Sequence, residues 1–152
     1  MNANVKAYTT TIVSVCICIM VAIASAQRGL IIGKYPLLFI CLFSTFIIQW
    51  VVFLPSYYWH TEKFYDLTGS VTYIFITLVA LYHKGQFIGP RADIRSLLLA
   101  MIIIIWALRL GSFLFMRILK DKEDRRFNEW KFSFALFLRT WTLQGMWIFL
   151  TS

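Results

Sequence analysis

The sequence predicts an all-α integral membrane fold, a bundle of about five transmembrane helices, on three observations. Hydrophobic residues make up 60% of the 152 positions and charged residues only 14%, against about 45–50% and about 25% in a soluble domain; mean hydropathy is +0.72. Five stretches approach the roughly 20 apolar residues that cross a bilayer core: 8–26, 35–55, 69–83, 94–119 and 132–150. No stretch alternates apolar and polar residues as a barrel strand does, and inside lipid only helices and closed barrels satisfy every backbone group. The length fits one membrane domain over 1–152.

The first stretch has two readings. Lys6, the apolar run 12–24 and Ala24-Ser25-Ala26 before Gln27 resemble a secretory signal with its cleavage site. A retained helix is the expectation, because the run leads into a chain that is itself membrane-spanning. Residues 35–55 form an uninterrupted span. Residues 69–83 are short for one and borrow from the preceding loop. Residues 94–119 are long and carry Arg109 and Arg117, so that their end emerges from the membrane, and 132–150 carry Arg139. Loops are expected at 27–34, 56–68, 84–93 and 120–131, punctuated by Gly29, Gly33, Gly85, Gly89 and Pro90.

The net charge of +8 falls mostly between apolar runs, where basic residues orient a membrane protein and meet anionic headgroups. It therefore points to membrane lipid and not to nucleic acid. Five spans put Lys6, Lys63, Lys120, Lys122, Arg125, Arg126 and Lys131 on one side and Arg28, Lys34, Lys84, Arg91 and Arg95 on the other. Seven against five favours a cytoplasmic N-terminus and a cytoplasmic loop 120–131. Six of the seven acidic residues share that side; only Asp93 lies opposite. Cys16, Cys18 and Cys41 sit in apolar runs and read as small buried residues. His60 and His83 fall on opposite sides, so no metal site is expected.

Two segments could carry chemistry. In 61–70, Glu62, Tyr65 and Asp66 are spaced at i, i+3 and i+4, one face if helical. A carboxyl beside a phenol can donate a proton. The same segment also reads as an interfacial loop, with Tyr57, Tyr58 and Trp59 as an aromatic belt and Asp66 or Thr68 as a helix cap. In the fourth span, Arg109 shares a stripe with Phe113, Met116 and Lys120. A charge there is costly unless paired or wet, and arginine forks well onto phosphate. An internal anion pocket open to the cytoplasm, with Glu62 or loop 120–131 within reach, is one expectation. Pairing with Gln144 or a backbone carbonyl, with Arg117 snorkelling, is the other. Arg139 could face the same cavity.

The stretches Glu62-Lys63-Phe64-Tyr65-Asp66-Leu67-Thr68-Gly69-Ser70 and Trp106-Ala107-Leu108-Arg109-Leu110-Gly111 with Arg117, followed by Glu123-Asp124-Arg125-Arg126-Phe127 and Gln144-Gly145, resemble the steroid 5α-reductase-like membrane proteins of the DUF1295 family. The resemblance covers roughly residues 45–150. It implies an NADPH-dependent reductase of a carbon–carbon double bond in a lipid or sterol-like, enone-like substrate. It implies catalytic roles for Glu62, as the substrate-polarising carboxyl, and for Tyr65. It implies cofactor binding by Arg109, Arg117, Asp124 and Arg125. The sequence departs from the family at two places. The neighbourhood of the family's tyrosine, one turn before Arg109, is Ile105-Trp106, and Tyr65 is our substitute for it. The relatives continue past the point that matches Ser152 with a cofactor-binding half. The expectation is therefore the N-terminal portion of a reductase, either a fragment or a split enzyme in which a second chain supplies that half; the alternative is a shortened relative that has lost catalysis, a non-catalytic lipid-binding or assembly subunit.

Overall fold

The computed structural model describes residues 2–26, 31–32, 34–88, 94–121, 124, 127 and 129–152, without the side chains of 32 and 84–88. The expected punctuation at Gly29, Gly33, Gly89 and Pro90, the Ala26–Gln27 junction and Asp93 bear wholly or partly on residues outside that set. Five helices follow in order: α1 (Ala3–Ala26), α2 (Leu37–Tyr58), α3 (Tyr65–Ile88), α4 (Ile94–Asp121) and α5 (Phe134–Thr151). A minimal antiparallel hairpin, β1 (Ile31–Ile32) with β2 (Tyr35–Pro36), joins α1 to α2, pairing Ile31 with Pro36 and Ile32 with Tyr35.

Four of the helices, α1, α2, α3 as far as His83, and α4, are long and apolar enough to cross a membrane. The fifth is not among them, and its packing explains why. α5 lies against α1, α2 and α3, and eight of its 18 residues are buried. Protein covers much of it, with Phe134, Trp147 and Leu150 left exposed, so Arg139, Thr140, Thr142 and Gln144 are tolerated along its length. α1 contributes small residues to this contact, with Ala7, Ser14, Cys18 and Ala22 buried at helical spacing. Cys18, Ala22, Leu42, Phe46 and Phe149 form one core cluster; Phe53, Phe127, Phe137 and Trp141 form the other. By contrast, α4 packs on α3 and makes at most marginal contact with the rest.

Two loops are shorter than expected. α3 begins at Tyr65 and runs to Ile88, taking in residues assigned to the loops on either side of it, Gly85 included. The α2–α3 connection shrinks to 59–64 because α2 ends on a tight stop. His60 adopts φ 49°, and Thr61 N–H and His60 N–H donate to the carbonyls of Ser56 and Tyr57. This is the two-bond closure that usually places glycine at the left-handed position. It ends the helix abruptly and turns the chain towards α3.

Contacts fix which ends lie together. Ser133 bonds Asn4, and Glu62 bonds Lys131 and the backbone of Asp124. The start of α1, the α2–α3 turn and the α4–α5 connection therefore share one end, the charged end.

Candidate functional site

At the charged end, Glu62 is held from two sides. One carboxylate oxygen accepts from the Asp124 backbone N–H at 3.0 Å and the other from Lys131 Nζ at 3.3 Å. The Glu62 side chain is 4% exposed and that of Lys131 15%. Lys131 also lies over the Phe132 ring. Asp124 in turn meets Arg117 at 3.4 Å. Three sequence-predicted residues, Glu62, Arg117 and Asp124, are thus brought into one charged network that ties the turn before α3 to the connection after α4. Glu62 precedes α3 and does not share its face with Tyr65 and Asp66, because the left-handed stop at His60 keeps 61–64 out of the helix. Neither Asp66 nor Thr68 caps α3 from outside: both lie within it, and the Thr68 hydroxyl donates back to the Phe64 carbonyl. Arg125 lies outside the described residues.

Tyr65, Asp66, Gly69, Ser70 and Tyr73 of α3, Trp106, Leu110 and Leu114 of α4, and Gln144, Trp147 and Ile148 of α5 line a cavity of about 200 Å³. Glycines make this meeting possible. A Cβ on Gly111 would stand 2.5 Å from Ser70 Oγ and 2.6 Å from its Cβ, and a Cβ on Gly69 would collide with the Gln144 amide. The Gln144 amide donates to the Tyr65 carbonyl at 3.1 Å, while its oxygen is buried and meets no donor among the described residues. The Tyr65 hydroxyl donates to the Thr140 carbonyl at 3.1 Å, and its ring packs edge-on against Trp141 at 5.2 Å and tilted against Phe127 at 4.9 Å. Trp106 meets Tyr73 edge-on at 5.3 Å.

A larger cavity, about 390 Å³, lies towards the other end among Leu37, Cys41, Ile76, Leu81, Leu99, Ile103 and Phe149. Its walls are mostly apolar, with Thr77, Ser96 and Ser152 the polar residues that line it. The hydrogen-bonding groups converge at the smaller one, and the site is assigned there for that reason. Sequence reasoning did not single out Ser70 and Tyr73, and named Asp66 only as a face partner of Glu62 and Tyr65 or a helix cap and Gln144 only as a partner of Arg109. Three of these lie inside the stretches that carry the family resemblance, which was the available signal.

Arg109 is not inside a cavity. The buried line of α4 runs through Ala100, Ala107, Gly111 and Ile118. Arg109, two residues from both Ala107 and Gly111, points about 200° away from it and is exposed. Gln144 faces Tyr65 instead, and Arg139 stacks on Trp130 at 5.5 Å. Among the described residues no three His, Cys, Asp or Glu side chains gather as metal ligands.

The stretches that meet at this cavity and at the charged network are those that resemble one family, and that family, described as a protein of unknown function, DUF1295, matches residues 37–152. The chain belongs to the DUF1295 family. The match spans α2 to α5, and so includes every wall of the cavity. No curated protein and no solved structure matches the chain.

Proposed function

We propose that this DUF1295 chain is the substrate-holding portion of a membrane reductase that saturates a carbon–carbon double bond conjugated to a carbonyl in a lipid. The observation that carries the reading is the convergence of three separated motif stretches on one small, partly polar cavity at the charged end of an apolar bundle. In this reading a carbonyl oxygen sits beside Tyr65, whose hydroxyl donates to it, with Asp66 and Ser70 on the wall next to it. The Tyr65 hydroxyl exchanges its bond to the Thr140 carbonyl for one to the substrate. Gln144 and the ring packing on Trp141 and Phe127 keep the phenol placed. Glu62, saturated by Lys131 and the Asp124 amide, acts as the brace that holds the turn before Tyr65.

The charged end fits the phosphate-bearing part of NADPH: the Arg117 side chain is 41% exposed and its contact with Asp124 is long, which leaves guanidinium donors for an anion. Arg117, Asp124 and Arg125 would hold the cofactor, with a second chain completing the site. When bound, NADPH supplies the hydride that ends on the carbon β to the carbonyl. The proposed orientation places this end in the cytoplasm.

A second reading, a non-catalytic lipid-binding or assembly subunit, is favoured by one observation, the occupied state of the Glu62 carboxylate. The two are separated by incubating membranes from cells that overproduce the chain together with the cofactor-binding half with a long-chain enone and NADPH deuterated at the transferred position. Saturated ketone carrying deuterium at the β carbon, beyond that from membranes lacking the chain, is expected. Tyr65→Phe should reduce its formation about 100-fold. Enone binding without product in any variant would leave the lipid-binding reading standing alone.

A further inference from the structure

The cavity that takes the carbonyl in the reading above does not end where its polar walls end. It runs on into the larger cavity along the same face of α3, α4 and α5. That face passes through Ser70, Tyr73, Thr77 and Ala80 on α3, through Leu110, Trp106, Ile103 and Leu99 on α4, and through Gln144, Ile148 and Ser152 on and beside α5. Each step is three or four residues, so each set forms one stripe along its helix. α4 packs on α3, α5 touches α3 as well, and α4 and α5 make at most marginal contact with each other. The two cavities are therefore successive stretches of one groove, with α3 as its floor and α4 and α5 as its banks. From Tyr65 to Leu81 the floor rises about 24 Å, most of the roughly 30 Å of a hydrocarbon core.

The groove changes character along its length. Tyr65, Asp66, Ser70 and Gln144 gather at the charged end. Beyond Tyr73 the walls are mostly apolar: the Thr77 hydroxyl is taken by the Tyr73 carbonyl, and Ser96 and Ser152 stand at the far mouth. The complement of such a surface is a molecule with a polar head and a long apolar tail. Tyr73 decides what kind of tail. Its ring meets Trp106 on one bank and its hydroxyl bonds Thr151 on the other, so it crosses the groove at the junction. A helix, about 10–12 Å across, is held off the floor there. A rigid fused-ring plate cannot bend round the phenol, whereas a single hydrocarbon chain can. Nor does a fused-ring ligand fit wholly on the near side, since about 200 Å³ is less than the roughly 300–1,000 Å³ of sites that enclose a drug-sized molecule. We infer that the substrate is a single-chain lipid, with its carbonyl beside Tyr65 and its tail drawn past Tyr73 into the apolar stretch, and that Tyr73 sets the preference against ring systems. The inference rests on the carbonyl position proposed above and narrows its substrate class.

A tail that leaves lipid for an apolar groove gains little hydrophobic energy, so its position is read by crosslinking. The probes are straight-chain enones that carry a diazirine either beside the carbonyl or at the end of the tail, applied to the membranes used for the deuterium assay. The terminal diazirine should label 76–81 and 99–103, and the one beside the carbonyl 65–73 and 144–148. Unlabelled straight-chain enone should suppress terminal labelling at about one tenth of the concentration that a steroidal enone requires. Tyr73→Ala should remove most of that difference. Leu99→Trp, a change at an exposed wall residue, should reduce terminal labelling at 76–81 about tenfold, while the carbonyl-side label stays at 65–73 and 144–148. Terminal labelling spread over lipid-facing residues, or equal competition by the two enones in the wild type, overturns the inference and leaves the carbonyl site standing. Recovery of the terminal label on the cofactor-binding half does the same, since that half would then fill the groove. Carbonyl-side labelling that misses 65–73 and 144–148 overturns both.

Discussion

His60 and Glu62 show how two residues set the geometry of the charged end. A β-branched residue at φ 49° clashes with its own backbone, whereas glycine does not. His60→Val should therefore lower the stability of the detergent-solubilised protein by about 1–2 kcal/mol. His60→Gly should be close to neutral, the relief of strain offsetting the lost ring contacts with Tyr57 and Phe132. A thermal-shift series on the two variants decides it, and equal losses would show that the rings matter more than the turn. Removing Lys131 strands a carboxylate that is 4% exposed, so Lys131→Met should cost about 2–3 kcal/mol. Adding Glu62→Gln should recover a large part of that loss. A double-mutant cycle with no coupling would mean that the Glu62–Lys131 pair does not brace the turn. None of this was legible from spacing. The i, i+3, i+4 pattern of Glu62, Tyr65 and Asp66 assumed a continuous helix, and nothing in the composition of 56–61 announces that a histidine takes the left-handed position there.

Among the elements, the spans were legible because lipid imposes length and apolarity directly on the sequence. All five predicted stretches correspond to helices, with ends displaced by at most five residues. What the sequence did not disclose is rank. α5 looked like one span among five, yet much of it is covered by the other helices, because a moderately polar composition reads the same whether it marks a weak span or a protein-covered one. The close contact of α3 with α4 was also hidden, since a single glycine in an apolar run has no unique meaning until its neighbour is known. That contact yields a prediction. Gly111→Ala places a methyl against Ser70 Oγ and Cβ and should cost about 1–3 kcal/mol. Ser70→Gly removes both obstructing atoms and should restore most of the loss when combined with it, measured again by thermal unfolding in detergent. Failure of the rescue would locate the strain in the backbone of α4 instead.

Over the whole molecule, the shared end of Asn4, Glu62, Asp124 and Ser133 makes orientation a single question. Cysteines introduced at residues 4, 124 and 133, in a background without Cys16, Cys18 and Cys41, should all react with an impermeant maleimide only after the cytoplasmic side is opened. A cysteine at residue 34 should react from outside. Mixed accessibility of the first three would contradict the bundle itself. The site was half legible. The family stretches named segments that the structure brings together, with weight on Glu62 and Tyr65 for catalysis and on Arg109, Arg117, Asp124 and Arg125 for the cofactor, because charge is conspicuous in an apolar sequence. The structure gathers the less conspicuous Tyr65, Asp66, Ser70 and Gln144 around the cavity and sends Arg109 outward, a consequence of the phase of α4 that only its packing on α3 reveals. The central claim is that the α3–α4–α5 cavity at the charged end holds the lipid carbonyl. The most direct measurement is photolabelling of the chain in vesicles with a long-chain enone that carries a photoreactive group beside the carbonyl, followed by peptide mapping. Labelling is predicted at 65–73 and 144–148, suppressed by excess unlabelled enone. Labelling confined to the apolar cavity around Leu81 and Leu99–Ile103, or spread evenly along the lipid-facing residues, would contradict it.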